Sequence, residues 1–397
     1  MPSIVFYFKV HQPERLRHYT VFDIGERRDY FDEEKNNFYL ERIVKKCYLP
    51  TLKILKELIE KTDKRFKFSL GITGILLEKL IKSYPEIINL LKEISKTGCV
   101  EFTGENYYHS LSCLYSLNEF KEQVILHKKL IKKLFNQEPK IFANTELIYF
   151  DDLIKIVKEL GFDGILAEGV PWILQWRSPA FIYEDPQKNL KILLRHYKLS
   201  DDISFRFSAR WWEEWPLTAD KFASWLNAFN GNGEVINLFM DFETFGEHQW
   251  EETGIFEFLK SLPFEVFKYK DLEFSTPSEV LNKYPVRGIF SSQNPITWAD
   301  TERDLTAWLG NEMQQECLKI LYSLEKDIPF YLKEIWRKLQ TADHFYYMCT
   351  KWFADGDVHK YFSPYETPYD AYLNFRNILE DIKLRIKESN VKISIRN

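Results

Sequence analysis

The 397-residue sequence is poor in the patterns that announce the commonest chemistries. Its five cysteines (Cys47, Cys99, Cys113, Cys317 and Cys349) are odd in number, with no CxxC and no regular spacing. That argues against a disulfide framework and a zinc ribbon, and fits a reducing compartment. The eight histidines are scattered, no two of them three or four residues apart, and HExxH does not occur. Glycine is sparse, and GITG and GNG are loop signals; GxGxxG, a phosphate loop and a GxSxG nucleophile elbow are all missing. No run approaches the roughly 20 apolar residues of a membrane span. The opening MPSIVFYFKVHQP has the character of a strand, without the basic start and cleavage site of a signal peptide. The net charge of -5, from residues of both signs, asks for neither nucleic acid nor an acidic membrane as partner. These absences lead to the expectation of a soluble, cytoplasmic protein with no cofactor and no motif-borne metal site. Abundant Lys, Glu and Ile add a composition associated with heat-adapted proteins.

What is present is an alternation. Short apolar runs at 3–10, 65–72, 99–104, 140–146, 163–169, 191–199 and 234–243 are separated by longer segments such as LPTLKILKELIEKT and FDDLIKIVKELGF, whose apolar residues recur at three and four. Strand then helix, repeated, is the pattern of a parallel sheet wrapped by helices, and seven strands approach barrel size. FEVFKYKDLEF and TPSEVLNKY read as a last strand and helix. Beyond residue 290 the pattern is only helical. The expected architecture is therefore α/β: an incomplete seven-stranded, TIM-like (β/α) barrel over residues 1–290, followed by a C-terminal helical bundle over 291–397.

In such a fold the carboxyl ends of the strands carry the chemistry. Here those ends offer His11, Gly71, Glu101 with Glu105, Glu146, Glu168, His196 or Asp201, and Asp241 with Glu243. Taken singly, each reads as a solvated loop residue or helix cap. Together they converge, and two carboxylates in unequal environments are the apparatus of glycoside hydrolysis. A metal site assembled from distant strands stays open on this reading. Aromatics are plentiful, with 11 Trp, and cluster at VPWILQW, ARWWEEWP and DHFYYMCTKWF. Most belong to cores, but WWEEWP sets three Trp around two Glu in a polar loop, which marks Trp212 as a candidate sugar-stacking residue. Asp241 and Glu243, two apart on an extended strand, are expected to point to one side.

HQP at 11–13, VEFTGENYYHSL at 100–111, ANTELIY at 143–149, MDFETFG at 240–246 and QTADHFYYM at 340–348 resemble, in order, the five sequence regions of the family-57 glycoside hydrolases, enzymes acting on α-glucans. The resemblance implies an incomplete seven-stranded barrel followed by helices, Glu146 as nucleophile and Asp241 as general acid and base. It implies retention of configuration and no metal. His11, Glu101 and Glu243 match positions lining the sugar site. Asp343 matches the aspartate of the fifth region, which would bring the helical part over the barrel mouth. ANTE stands where relatives often show WLAE, so an aromatic wall beside the nucleophile is lost, and ADHF stands where they show an SDW type of sequence. The implied activity is cleavage of α-1,4-glucosidic bonds in starch- or glycogen-type glucans and maltooligosaccharides, with 4-α-glucanotransfer as the alternative. A metal-dependent deacetylase or α-mannosidase, and a glucan-binding protein without turnover, are the readings from other classes.

Overall fold

The computed structural model describes residues 2–351 and 358–396. The chain divides into two compact units. The first comprises 1–11, 40–107 and 121–298; the second comprises 12–39, 108–120 and 299–397. The helical unit is thus assembled from three separate stretches, two of which interrupt the α/β unit. The final residues of DHFYYMCTKWF, Trp352 and Phe353, lie outside the described residues.

All seven expected strands form in the first unit: β1 (Ser3–Val10), β2 (Phe68–Ile72), β3 (Val100–Phe102), β4 (Ile141–Ala143), β5 (Gly164–Glu168), β7 (Lys191–Arg195) and β8 (Val235–Asp241). Three short strands join them: β6 (Ile182–Glu184), β9 (Glu273–Phe274) and β10 (Val286–Ile289). They do not trace one continuous barrel ladder. One five-stranded parallel sheet runs β3-β2-β1-β8 with β9 against the start of β1, and a second runs β10-β6-β7-β5-β4 with only β6 and β7 antiparallel. Between β7 and β8 side chains occupy the positions of a ladder. Asn237 Nδ2 donates to Leu194 O (2.9 Å), Arg195 Nε to Phe239 O (2.8 Å), and Phe239 N to Ser200 Oγ (3.2 Å). Between β3 and β4 the connection is a single bridge, Gly104 with Phe142.

Alternation along each strand separates two cores. Phe6, Phe8, Phe68, Leu70, Leu238 and Met240 face the helices and belong to the larger apolar cluster. Val5, Tyr7, Ile141, Ala143, Leu166, Leu193, Val235 and Phe239 form a smaller inner cluster drawn from both sheets, closed below by Val280 and Leu281 of the helix Pro277–Lys283. The same parity carries Lys9, Arg195 and Asp241 inward at the strand ends.

Lys9 is 4% exposed and must be neutralised there. Its ammonium pairs with Glu105, which is 0% exposed and also accepts from Tyr7 Oη at 2.8 Å. The Tyr7 hydroxyl is pushed well up by burial and then by the Glu105 charge. Gly71 makes room: a Cβ there would lie 1.8 Å from Glu105 Oε1 and 2.4 Å from the Tyr7 hydroxyl. His127 accepts from Glu105 N through Nδ1 and donates through Nε2 to Ile72 O (2.8 Å), the neutral tautomer that its burial favours.

In the second unit, among the described residues, no strand follows Ile289. The segment 12–39 is tied to the helix Pro368–Arg396. Tyr19 N donates to Asn374 Oδ1 (2.6 Å), the Tyr30 hydroxyl to Asp381, and Arg385 Nε to Asp381 Oδ2 (2.6 Å). Glu119 accepts two hydrogen bonds from Arg337, at 2.8 and 3.0 Å.

Two measurements follow. Lys9→Met leaves the Glu105 charge buried and unpaired, and chemical denaturation is expected to show a loss of about 3–5 kcal/mol. Adding Glu105→Gln removes the orphan charge and is expected to recover most of that loss. His196, which caps the helix Tyr197–Ser204, has its pKa pushed down to about 4 by burial. The unfolded chain therefore takes up this proton first as pH falls, so stability is lost between about pH 6.5 and the folded value. The Tm is expected to fall across that window, and to fall less in His196→Asn, which keeps a capping acceptor.

Candidate active site

The strand ends of the first unit gather ionisable groups of both signs, and most of them are held in pairs. Beside Lys9 and Glu105 stands a second buried cation, Arg195 at the end of β7, 3% exposed. Its guanidinium donates to Glu168 Oε2 (3.0 Å) at the end of β5 and to Asp201 Oδ1 (2.5 Å) on the following helix. Burial works against the charged guanidinium, but the two acids outweigh it and hold its pKa above the usual value. Glu168 is 0% exposed and also accepts from Gly169 N. These acids neutralise framework cations, a role at odds with that of a proton donor.

Glu146 is placed differently. It follows β4 in a 3-10 turn, Thr145–Leu147, where its backbone adopts the left-handed conformation (φ 53°, ψ 28°) that non-glycine residues seldom take. The segment 292–298 holds it there. Ile296 and Tyr149 exchange backbone hydrogen bonds (2.9 Å each way), and Thr297 Oγ1 donates to Glu146 O (2.6 Å). The Trp298 indole N–H donates to Glu146 Oε2 (2.8 Å). Trp298 lies in turn under the Arg195 guanidinium, 5.6 Å from the ring centroid.

Asp241 is the last residue of β8, half-buried, in register with Lys9 on β1. It shares the inward parity of Phe239 and lies close enough to Tyr7 to help raise that hydroxyl's pKa, after burial and Glu105. Arg195, bonded to Phe239 O and stacked on Trp298, spans from β8 to the partner of Glu146. The two carboxylates named from the sequence thus stand at the same end of the strands.

The remaining candidates divide. His11 directly follows β1 and bonds Thr73 Oγ1 through Nδ1 (2.9 Å). Glu101 points inward but low on β3. Its carboxylate accepts from Ser278 N (2.8 Å) and the Ser278 hydroxyl at the start of the helix closing the inner core, and burial raises its pKa. The buried acid beyond β3 is Glu105, four residues on. Glu243 does not continue the strand, because β8 stops at Asp241 and Phe242–Thr244 forms a 3-10 turn. Its carboxylate accepts from Tyr48 Oη (2.5 Å), a residue of the outer core, so strand alternation does not set its direction. Trp212 packs half-buried against the outer core, edge-on to Trp225 with ring centroids 6.1 Å apart. Its neighbour Trp211 is 81% exposed instead. Asp343 belongs to the second unit, on the short helix Ala342–Tyr346.

Sequence reading passed over Lys9, Arg195 and Trp298. Signals for the first two existed: Lys9 is the lone charge in the apolar strand SIVFYFKV, and Arg195 follows three apolar residues at the end of KILLR, places where a charge survives only if paired.

Comparison with known proteins agrees with this geometry. The profile of Glycosyl hydrolase family 57 matches residues 5–294. A putative alpha-amylase of Methanocaldococcus jannaschii is 44% identical over 409 residues, covering 97% of this chain and 85% of that protein. An alpha-amylase of Pyrococcus furiosus is 24% identical over 256 residues, 63% of this chain, which corresponds to 37% of that longer protein. Among solved structures, a GH57-type branching enzyme from Pyrococcus horikoshii superposes with a TM-score of 0.69 at 15% identity, over 91% of this chain and 87% of that one. The 4-alpha-glucanotransferase of Thermococcus litoralis superposes with a TM-score of 0.61 at 18% identity, over 91% of this chain and 54% of the other. With most of its length matched by the family profile and its strand ends arranged as described, the chain belongs to glycosyl hydrolase family 57.

Proposed function

We propose that the protein is a retaining glycoside hydrolase that cleaves α-1,4-glucosidic bonds of starch- or glycogen-type glucans by double displacement, with Glu146 as nucleophile and Asp241 as general acid and base. The two sheets are read as the family's incomplete barrel, with residues 1–290 as its catalytic domain. The observation that carries the assignment is the setting of Glu146 after β4: it is half-buried, in a strained backbone conformation, and its carboxylate accepts a hydrogen bond from the Trp298 indole.

In the first step a Glu146 carboxylate oxygen bonds to the anomeric carbon as the glycosidic C–O bond breaks. The leaving oxygen takes the proton of Asp241. In the second step Asp241 removes a proton from water, whose oxygen replaces the Glu146 ester at the same carbon. The enzyme returns to its starting protonation. If the 4-hydroxyl of another glucan enters in place of water, the same pair performs 4-α-glucanotransfer. His11, at the end of β1, is assigned to the sugar site together with Asp241. Glu101, Glu243 and Asp343 are assigned to support rather than to bond making.

Glu146→Gln and Asp241→Asn are each expected to lower kcat on maltooligosaccharides by at least about a thousandfold with the Tm little changed. Wild-type turnover in either would remove the assignment. Chromatography of products from maltopentaose separates the two outcomes of the second step: shorter sugars report hydrolysis, and chains longer than the input report transfer.

A further inference from the structure

Trp298 is 152 residues from Glu146 in sequence, yet it makes the directional contact to that residue's carboxylate. Three features set this contact apart from ordinary packing. The bond runs from an indole N–H, a donor with no acceptor capacity, to one named oxygen, Oε2, at 2.8 Å. Trp298 N also approaches Glu146 O (3.3 Å), so the residue grips the backbone and side chain of Glu146 together. The ring is half-buried, packed against the inner core and partly open, with the Arg195 guanidinium over it. That guanidinium is itself fixed by Glu168, Asp201 and Phe239 O.

We infer that Trp298 is the positioning residue of the nucleophile: its indole N–H pins Oε2 of Glu146, so that the carboxylate is held in one orientation for attack, and favours the ionised form. The inference rests on the assignment of Glu146 above. A carboxylate rotates about its last torsion over a broad, roughly twofold well, so a side chain following a turn does not by itself present one oxygen in one direction. A fixed donor removes that freedom before substrate arrives. Hydrogen bonding to the charged form also favours it over the protonated acid. Arg195 acts one step behind, as a cation on the indole face that keeps the ring plane, and hence the N–H, in place. The aromatic wall missing from ANTE is thereby restored from a distant part of the chain.

The test separates donor from shape. Trp298→Phe keeps an aromatic ring and loses the N–H; incorporation of 3-benzothienylalanine at 298 keeps the size and outline of the indole and replaces N–H with sulfur. In both, kcat on maltooligosaccharides is expected to fall about 10- to 100-fold, the loss of one hydrogen bond to a charged group, with KM changed little. The acidic limb of the kcat/KM profile is expected to move to higher pH in both. An unchanged kcat and acidic limb in the benzothienyl protein overturns the inference, including the case in which Trp298→Phe alone is impaired or fails to fold. Trapping the glycosyl-enzyme of the unsubstituted protein with a fluorinated α-glucosyl fluoride, followed by peptide mass spectrometry, checks the underlying assignment separately. A label on a residue other than Glu146 removes that assignment, whatever the Trp298 variants do.

Discussion

Inward-facing charge at the strand ends is the constraint around which the α/β unit is organised. A strand that alternates between an outer helical shell and an inner core delivers every second side chain to the interior, and Lys9 and Arg195 fall on that side. A buried cation persists only with acids around it. Glu105 serves one, while Glu168 and Asp201 serve the other. Gly71 is small because Glu105 fills the space a Cβ would need. Tyr7, His127 and Phe239 supply or receive the bonds that fix the charged groups in place. Glu146, at the end of β4, receives the indole N–H of Trp298.

Much of this was legible in the sequence. Parallel strands buried on both faces read as continuous apolar runs, so all seven principal strands appear where expected. The short strands β6 and β10 went unseen, because three or four residues are too few to show a periodicity. Where a strand stops was also illegible. MDFETFG reads as extended to Glu243, but the chain turns after Asp241 and sends Glu243 to Tyr48. VEFTGE offers two acids, and only the length of β3 decides that Glu101 caps a helix while Glu105 meets Lys9. Boundaries of this kind depend on tertiary pairing, which local pattern does not encode. In WWEEWP the middle tryptophan of the cluster, Trp212, is the one drawn into the core, a choice set by the fold of the loop.

The family relationship and the geometry carry different parts of the functional reading. Low identity to the superposed structures establishes a shared fold, while the 44% identity to the Methanocaldococcus jannaschii protein extends across nearly the whole chain. The pairings come from the geometry: Glu105 meets Lys9, and Glu168 and Asp201 meet Arg195. Two buried cations stand among these groups: Lys9 in strand register with Asp241, and Arg195 over the indole that meets Glu146.

The helical unit brings a different consequence. Its first stretch, 12–39, finds its partners at Asn374, Asp381 and Arg385, more than 350 residues later. During synthesis the tyrosines at 19 and 30 therefore stay without these partners until nearly the whole chain has emerged, long after β1, made just before them, can pair with β2. Assembly of that unit is a late event by construction, and the interval leaves a strongly charged segment, with its two core tyrosines, waiting for its helix.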